Sequence, residues 1–327
     1  MRIVFMGSAD VSSTVLRALV SEPALQVVGV VTQPDRPSGR QQRFTPCECK
    51  CEAMLHSLPV LTPEKLNTPA VLEQLAAWAP DIIVVVAYGQ FLGSRILALP
   101  PLGCINVHLS LLPLFRGAAP VHRSIAAGLE ETGVTIMQMD KGMDSGAILM
   151  QVAEPIFFDD TAGTLYERLS ALGASLILRA LPALVAGEIV PQPQDESRVT
   201  FAPKLRKEEG CLDWRLPARD LALRVRAFNP WPACHTQLTI VRQGVPRPER
   251  LKVLAAQDET PPEGAPNLTP GSVADLSDAG PAIATSDGWL RLRSVQRAGG
   301  RAVDGYAFLC GFPLRLGQAI DEPPVSP

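Results

Sequence analysis

The sequence predicts an α/β protein in two parts. The first is a Rossmann-like domain, a parallel sheet with helices on both faces; the second is a small C-terminal β domain, a barrel rather than a sandwich. Three observations carry that expectation. Short apolar runs rich in Val and Ile alternate with helical patterns through the first half. The Pro-rich polar stretch Val190–Leu205 then breaks the rhythm and reads as a linker. Beyond it the chain turns to short alternating segments.

Taken in order, Ile3–Met6 and Gln26–Thr32 read as the first two strands. Between them Val11, Val15, Leu16 and Leu19 repeat at helical spacing behind Asp10, the expected N-cap. Val71, Leu72, Leu75 and Trp78 mark a further helix, and Ile82–Ala87, Cys104–His108 and Val134–Met139 three more strands. Pro120 to Gly128 has Pro inside its start and Gly past its end, a short helix. Thr161 to Gly187 is a long helical stretch, expected to bend or break near Pro182. In the second part, "AIATSDGWLRLRSVQ" sets an Asp-Gly turn between strand-like runs, a hairpin signal. The expected boundaries are a catalytic domain over 1–189, a linker over 190–205, a β domain over 206–317 and a tail over 318–327.

Composition excludes several classes. With 46% hydrophobic and 19% charged residues and a net charge of −3, the chain is globular, without a global nucleic-acid signal. Charge is mildly uneven: from Lys204 onward 16 basic residues face 14 acidic ones, against 14 and 19 before it. A basic face on the second part is therefore permitted. The first residues read as a strand rather than a signal peptide, and the apolar run Ile82–Ala87 is far too short to span a bilayer. Seven cysteines, an odd number, suit reduced thiols and a cytoplasmic protein. Cys47, Cys49 and Cys51 lack the spacing of a zinc knuckle, so the expectation is a loop holding no metal.

The chemistry concentrates at two places. In Cys104–His108 side chains alternate, so Asn106 and His108 share one face while Ile105 and Val107 share the other. A buried amide and imidazole without partners cost about 1–3 kcal/mol each, so this pair needs a reason. Strands of open α/β sheets bind ligands beyond their carboxyl ends, where His108 and a loop of Ser, Pro, Arg and Gly lie. The second place is "MQMDKGMDSGAIL", where Asp140 and Asp144 sit among glycines near the same edge. Either carboxylate can orient an imidazole, and spacing does not choose between them. Other signals are weaker. Gly7 stands after the first strand without the G-x-G-x-x-G of a dinucleotide site, and is expected to pass close to a ligand or a neighbouring strand. Asp35, in the turn-rich "TQPDRPSGR", makes only a weak ribose-binding acid. His56, His122 and His235 have no chemical neighbours in sequence, and His122 is expected at the surface. Arg215, Arg219, Arg224 and Arg226 offer a basic flank, with Arg219, Leu223 and Arg226 on one helical face.

Five segments together, "NVHLSLLPLFRGAAP", "ETGVTIMQMDKGMDSGAIL", "TQPDRPSGR", "KEEGCLDW" and "RAFNPWP", resemble the methionyl-tRNA formyltransferases, a branch of the folate-dependent formyltransferases. The resemblance implies formyl transfer from 10-formyltetrahydrofolate to the amino group of methionyl initiator tRNA, with no metal and no membrane, by a monomer. It places catalysis on Asn106, His108 and Asp144, folate contact on Ser110, Leu111, Leu112 and Pro113, and the pterin against the backbone of Tyr88–Leu92. Arg40 matches the basic residue of a loop that meets the tRNA acceptor end, and the second domain resembles an oligonucleotide-binding (OB-like) barrel. Leu109 and Leu114 depart from the family's Gly or Ala and Arg, and "RFTPCECK" departs from its Lys-rich loop while keeping Lys50. A sugar nucleotide or purine precursor as the accepting amine is the alternative within the fold.

Overall fold

The computed structural model describes residues 1–38, 43–242 and 245–321. Its first half runs β1 (Arg2–Gly7), α1 (Asp10–Ser21), β2 (Gln26–Val31), β3 (Arg36–Ser38), β4 (Arg43–Thr45), α2 (Glu48–Leu55), β5 (Val60–Leu61), α3 (Pro69–Ala77), β6 (Ile82–Val86) and α4 (Ser94–Leu97). There follow β7 (Cys104–His108), β8 (Arg116–Gly117), α5 (Pro120–Ala126), β9 (Glu131–Gln138), β10 (Ile148–Pro155), α6 (Ala162–Val185) and β11 (Phe201–Ala202). The second half holds α7 (Ala218–Ala227), β12 (Cys234–Arg242), β13 (Val245–Glu259), β14 (Val273–Ser277), β15 (Gly280–Ala284), β16 (Trp289–Arg297), β17 (Ala302–Asp304) and α8 (Gly305–Gly311). Two compact units result: 1–121 with 130–156 and 164–204, and 122–129 with 157–163 and the chain from Leu205.

The first unit is built on a seven-stranded sheet in the order β10-β9-β7-β6-β1-β2-β5. Its five parallel neighbours are β5, β2, β1, β6 and β7. The sequence predicts β1, β2, β6 and β7, mostly apolar as strands buried on both faces are, whereas the two-residue β5 is too short to leave a pattern in it. β9 and β10 extend it antiparallel, which apolar runs alone do not reveal because their period carries no direction. Val11, Val15, Leu16 and Leu19 bury one face of α1, whose N-cap is Ala9 rather than Asp10; Asp10 instead lies in the first turn, where its charge meets the positive end of the helix dipole. α6 continues through Pro182 to Val185, so the proline does not break it. A Cβ on its Gly173 would sit 3.0 Å from Val107 Cγ1, so the missing side chain lets the helix lie close over β7. That contact puts Val107 on the α6 face, and alternation turns Asn106 and His108 to the other. Among the described residues α6 is the one helix long and apolar enough to cross a membrane.

The second unit is an antiparallel sheet, β12-β13-β16-β15-β14, with β17 paired to β16. Its Asp287-Gly288 turn joins β15 to β16 as expected, with Gly288 at φ +83°. Cys47, Cys49 and Cys51 are not in a loop: Cys47 caps α2 and the other two lie on it, with Cys49 buried. No group of metal-ligating side chains occurs among the described residues.

Candidate active site

The sequence places Asn106 and His108 at the carboxyl end of β7, and both are buried there, 8% and 5% exposed. Two loops close over them. In the first, Phe115 adopts φ +59°, which turns its carbonyl to within 3.0 Å of His108 Nε2. A carbonyl only accepts, so Nε2 carries the hydrogen and Nδ1 is the other face of the ring. In the second loop Asp144 adopts φ +50°, a left-handed conformation uncommon outside glycine. Its carboxylate lies 3.7 Å from His108 Nδ1 through Oδ2 and receives the Asn106 Nδ2–H at 3.5 Å on Oδ1. A carboxylate also only accepts, so this contact orients the amide with nitrogen toward Asp144. The Gly117 N–H donates to Oδ2 at 2.8 Å, the shortest bond in the group. Gly117 reaches that position at φ +125°, and a Cβ there would press to 2.7 Å of the Ala202 carbonyl.

The two aspartates left open by spacing are thereby separated. Asp140 spends its carboxylate inside its own loop, accepting from Gly142 N and Ser145 Oγ, each at 2.8 Å. Asp144 alone of the two faces the imidazole.

Ser110–Pro113 flank the β7 end on the side of β9. Thr135 Oγ1 donates to the Ser110 carbonyl at 2.6 Å, and Gln151 Nε2 donates to the Leu112 carbonyl at 2.8 Å. The Ser110 hydroxyl is turned inward to the Leu114 carbonyl, and Leu112 and Pro113 are buried, so Leu111 is the half-buried side chain of the four. Leu109 is buried too. Tyr88–Leu92 follow β6, on the opposite side of β7. Gln33 Nε2 donates to the Tyr88 carbonyl, and Asn67 Nδ2 to that of Phe91, which fixes the segment's backbone. Burial pushes the Tyr88 phenol and the Cys104 thiol each up to about 12, so neither ionises in this site near neutrality.

Other expected residues lie elsewhere. Arg40 is outside the described residues; Asp35, at the base of the same loop, pairs with Lys50 at 2.8 Å instead of offering a ribose site. A Cβ on Gly7 would meet Ser12 at 2.6 Å, so this glycine admits the start of α1 rather than a neighbouring strand. His122, in the second unit, is not a surface residue: it is partly buried, and burial lowers its pKa to about 4, leaving an uncharged imidazole. His56 Nε2 donates to the Glu52 carboxylate, and His235 Nδ1 to the Ala233 carbonyl. Of the expected basic stripe, Arg226 is spent on the Asp160 and Phe157 carbonyls and Arg215 on Asp213, which leaves Arg219 exposed and Arg224 half-exposed. Sequence reasoning missed the Phe115 carbonyl, the Gly117 N–H and Gln194, whose amide nitrogen donates to the Asp144 carbonyl at 2.8 Å.

Comparison with known proteins adds to this geometry. Residues 1–181 match the formyl transferase family model, and residues 204–313 match that of the formyl transferase C-terminal domain. Methionyl-tRNA formyltransferase of Stutzerimonas stutzeri is 45% identical over 301 residues, covering 92% of this chain and 91% of its own. That of Pseudomonas entomophila is 43% identical over 303 residues, 93% of each. Among solved structures, an N-formyltransferase from Helicobacter canadensis, in complex with folinic acid and dTDP-3-aminofucose, superposes with a TM-score of 0.60 at 15% identity, over 90% of this chain and 98% of that one. HypX from Aquifex aeolicus, in complex with tetrahydrofolic acid, gives 0.57 at 19% identity over 99% of this chain and 49% of its own. At such identities the two structures speak for the fold alone.

Proposed function

The chain belongs to the formyl transferase family, and we propose that Asn106, His108 and Asp144 are the side chains with which it works. The reaction moves the formyl group of 10-formyltetrahydrofolate to the amino group of methionyl initiator tRNA, giving N-formylmethionyl-tRNA for translation initiation. One observation supports the three roles above the rest. The group converges at the carboxyl end of β7 with long contacts, 3.5 and 3.7 Å, that leave an amide hydrogen and a ring nitrogen available to a substrate.

Negative charge develops on the formyl oxygen as the amine attacks its carbon. Asn106 has one N–H directed at Asp144 and a second to give to that oxygen. A donor so placed contributes about 10²–10³ in rate. His108 holds its Nε2–H against the Phe115 carbonyl, which leaves Nδ1 to take the proton from the attacking amine. The Asp144 carboxylate beside Nδ1 offsets the positive charge that arrives there. His108 then returns the proton to the departing folate nitrogen, which balances the exchange. The donor set suits folate as co-substrate, since one carbonyl oxygen and one amine proton are all it must handle. Ser110, Leu111, Leu112 and Pro113 and the backbone of Tyr88–Leu92 flank the place where the folate would lie, Leu111 and main-chain atoms making the contact. Arg40, Arg219 and Arg224 are the cations we assign to tRNA phosphates, acting in a cytoplasmic monomer.

The test is formyl transfer from 10-formyltetrahydrofolate to methionylated initiator tRNA, beside methionylated elongator tRNA and a His108→Ala control. Formylation of the initiator, lowered about 10²–10⁴-fold in the variant, is expected. Near-normal turnover by His108→Ala would overturn the assigned roles, and transfer to a sugar nucleotide in place of tRNA would overturn the acceptor.

A further inference from the structure

Asp144 faces its partners from a left-handed backbone that its side chain does not enforce, so something else must hold the loop. The contacts that hold it come from the polar stretch after α6. Gln194 Nε2 donates to the carbonyls of Asp144 and Gly146, each at 2.8 Å, bridging the turn on both sides of Ser145. Its Oε1 accepts from Arg116 Nε at 3.0 Å and Nη2 at 2.8 Å. A guanidinium only donates and a carbonyl only accepts, so the amide has one possible orientation. Arg116 is itself fixed. Its side chain is 5% exposed, Glu196 takes its Nη2–H at 2.7 Å, and its backbone N–H reaches the Thr200 carbonyl at 2.9 Å.

The same stretch also steadies the opposite loop. Thr200 Oγ1 accepts from Phe115 N at 2.8 Å, and Phe115 is the residue whose carbonyl orients His108. Gln192 exchanges two backbone hydrogen bonds with Ile148, at 2.8 and 2.9 Å, anchoring the approach to Gln194. Gln194 lies between the two segments that match family models, 1–181 and 204–313.

We propose that Gln194 is a positioning residue for formyl transfer: oriented by Arg116, its amide pins the Asp144 loop so that the carboxylate stays beside Asn106 and His108. The inference rests on the catalytic reading of Asp144 given above. A purely structural Gln194 would serve as a partner for buried Arg116 and nothing more.

Gln194→Glu separates the two. It keeps oxygen for Arg116 and replaces both N–H donors with lone pairs that face the Asp144 and Gly146 carbonyls. Gln194→Met, neutral and of similar length, removes the bonds without adding charge. Steady-state kinetics are measured for both, well below each variant's Tm, with Asp144→Asn alongside. Both are expected to lose about 10–100-fold in kcat, the cost of a displaced catalytic group, with KM for either substrate little changed. Wild-type kcat in Gln194→Met would overturn the inference, including when Gln194→Glu alone is slow, because the loss would then belong to the added charge. A raised KM with unchanged kcat in both would overturn it as well. Wild-type turnover by Asp144→Asn would overturn the catalytic reading and this inference together, whereas a slow Asp144→Asn beside fast Gln194 variants would overturn this inference alone.

Discussion

Two buried polar clusters, one in each unit, are built on opposite terms. On β16 the Arg291 side chain, 8% exposed, is saturated. Glu259 takes its Nε–H at 2.8 Å and its Nη2–H at 2.6 Å, while Asp275, Ser277 and the Gly280 carbonyl share Nη1 at 2.7 to 2.9 Å. At the end of β7, Asn106 and His108 are as deeply placed and Asp144 is half-buried beside them, yet their mutual contacts are 3.5 and 3.7 Å. A buried charge that exists for the fold must finish its hydrogen bonds within the fold, since each one left open costs stability. A group that serves a reaction keeps capacity in reserve, and the surrounding structure carries the cost. In the β7 cluster the short bonds go instead to what aims the group: Gly117 to Asp144, Phe115 to His108, Gln194 to the loop backbone.

Opposite outcomes are therefore expected when each cluster is cut. Asn106→Ala should lower kcat about 10²–10³-fold, roughly 3–4 kcal/mol at the transition state, while Tm stays close to wild type. Its amide makes one long bond, so little folding energy depends on it. Arg291→Met should do the reverse. Removing it leaves Asp275 without this partner and Glu259 with only Arg293 at 3.7 Å. Both keep partial solvent access, so a loss of about 2 kcal/mol in unfolding free energy is expected, less than for a fully buried pair. Its kcat should be unchanged. Denaturant melts and steady-state rates on the same preparations decide the matter. A destabilised Asn106→Ala with normal turnover would erase the distinction between the clusters.

How far each cluster was legible follows from the kind of atom it uses. Asn106 and His108 stood out because a polar pair on one face of an apolar strand violates the pattern around it. Nothing comparable marked Arg291, whose alternating strand reads like any half-exposed edge of a β domain. Phe115 and Gly117 were hidden because they act through main-chain atoms, which every residue has. Gln194 was hidden by its setting. "VPQPQDESRVTF" lacks apolar periodicity and so reads as a tether, yet it is pinned to the sheet edge by side-chain and backbone bonds rather than by burial. Arg226 misled in the other direction. Helical spacing put it on a basic face, and only the fold shows that its guanidinium is already given to two carbonyls.

The smallest expected effect sharpens the comparison most, because it lies within a single loop. Asp140 and Asp144 carry the same carboxylate four residues apart, but differ in partners and in the left-handed backbone of Asp144. Asp140 accepts from Gly142 N and Ser145 Oγ through Oδ1, the bonds of a side chain that closes its own turn. An asparagine retains that oxygen, so Asp140→Asn should cost less than about 1 kcal/mol and leave turnover intact. Asp144→Asn keeps the same shape and the oxygen that Gly117 needs, but gives up the charge beside His108 Nδ1 and the acceptor of the long Asn106 bond. Melting temperatures of the two variants should therefore be nearly equal, while only the second loses turnover. Equal kinetics in the pair would mean that loop geometry, and neither the carboxylate charge nor its second acceptor oxygen, is what the site requires of Asp144.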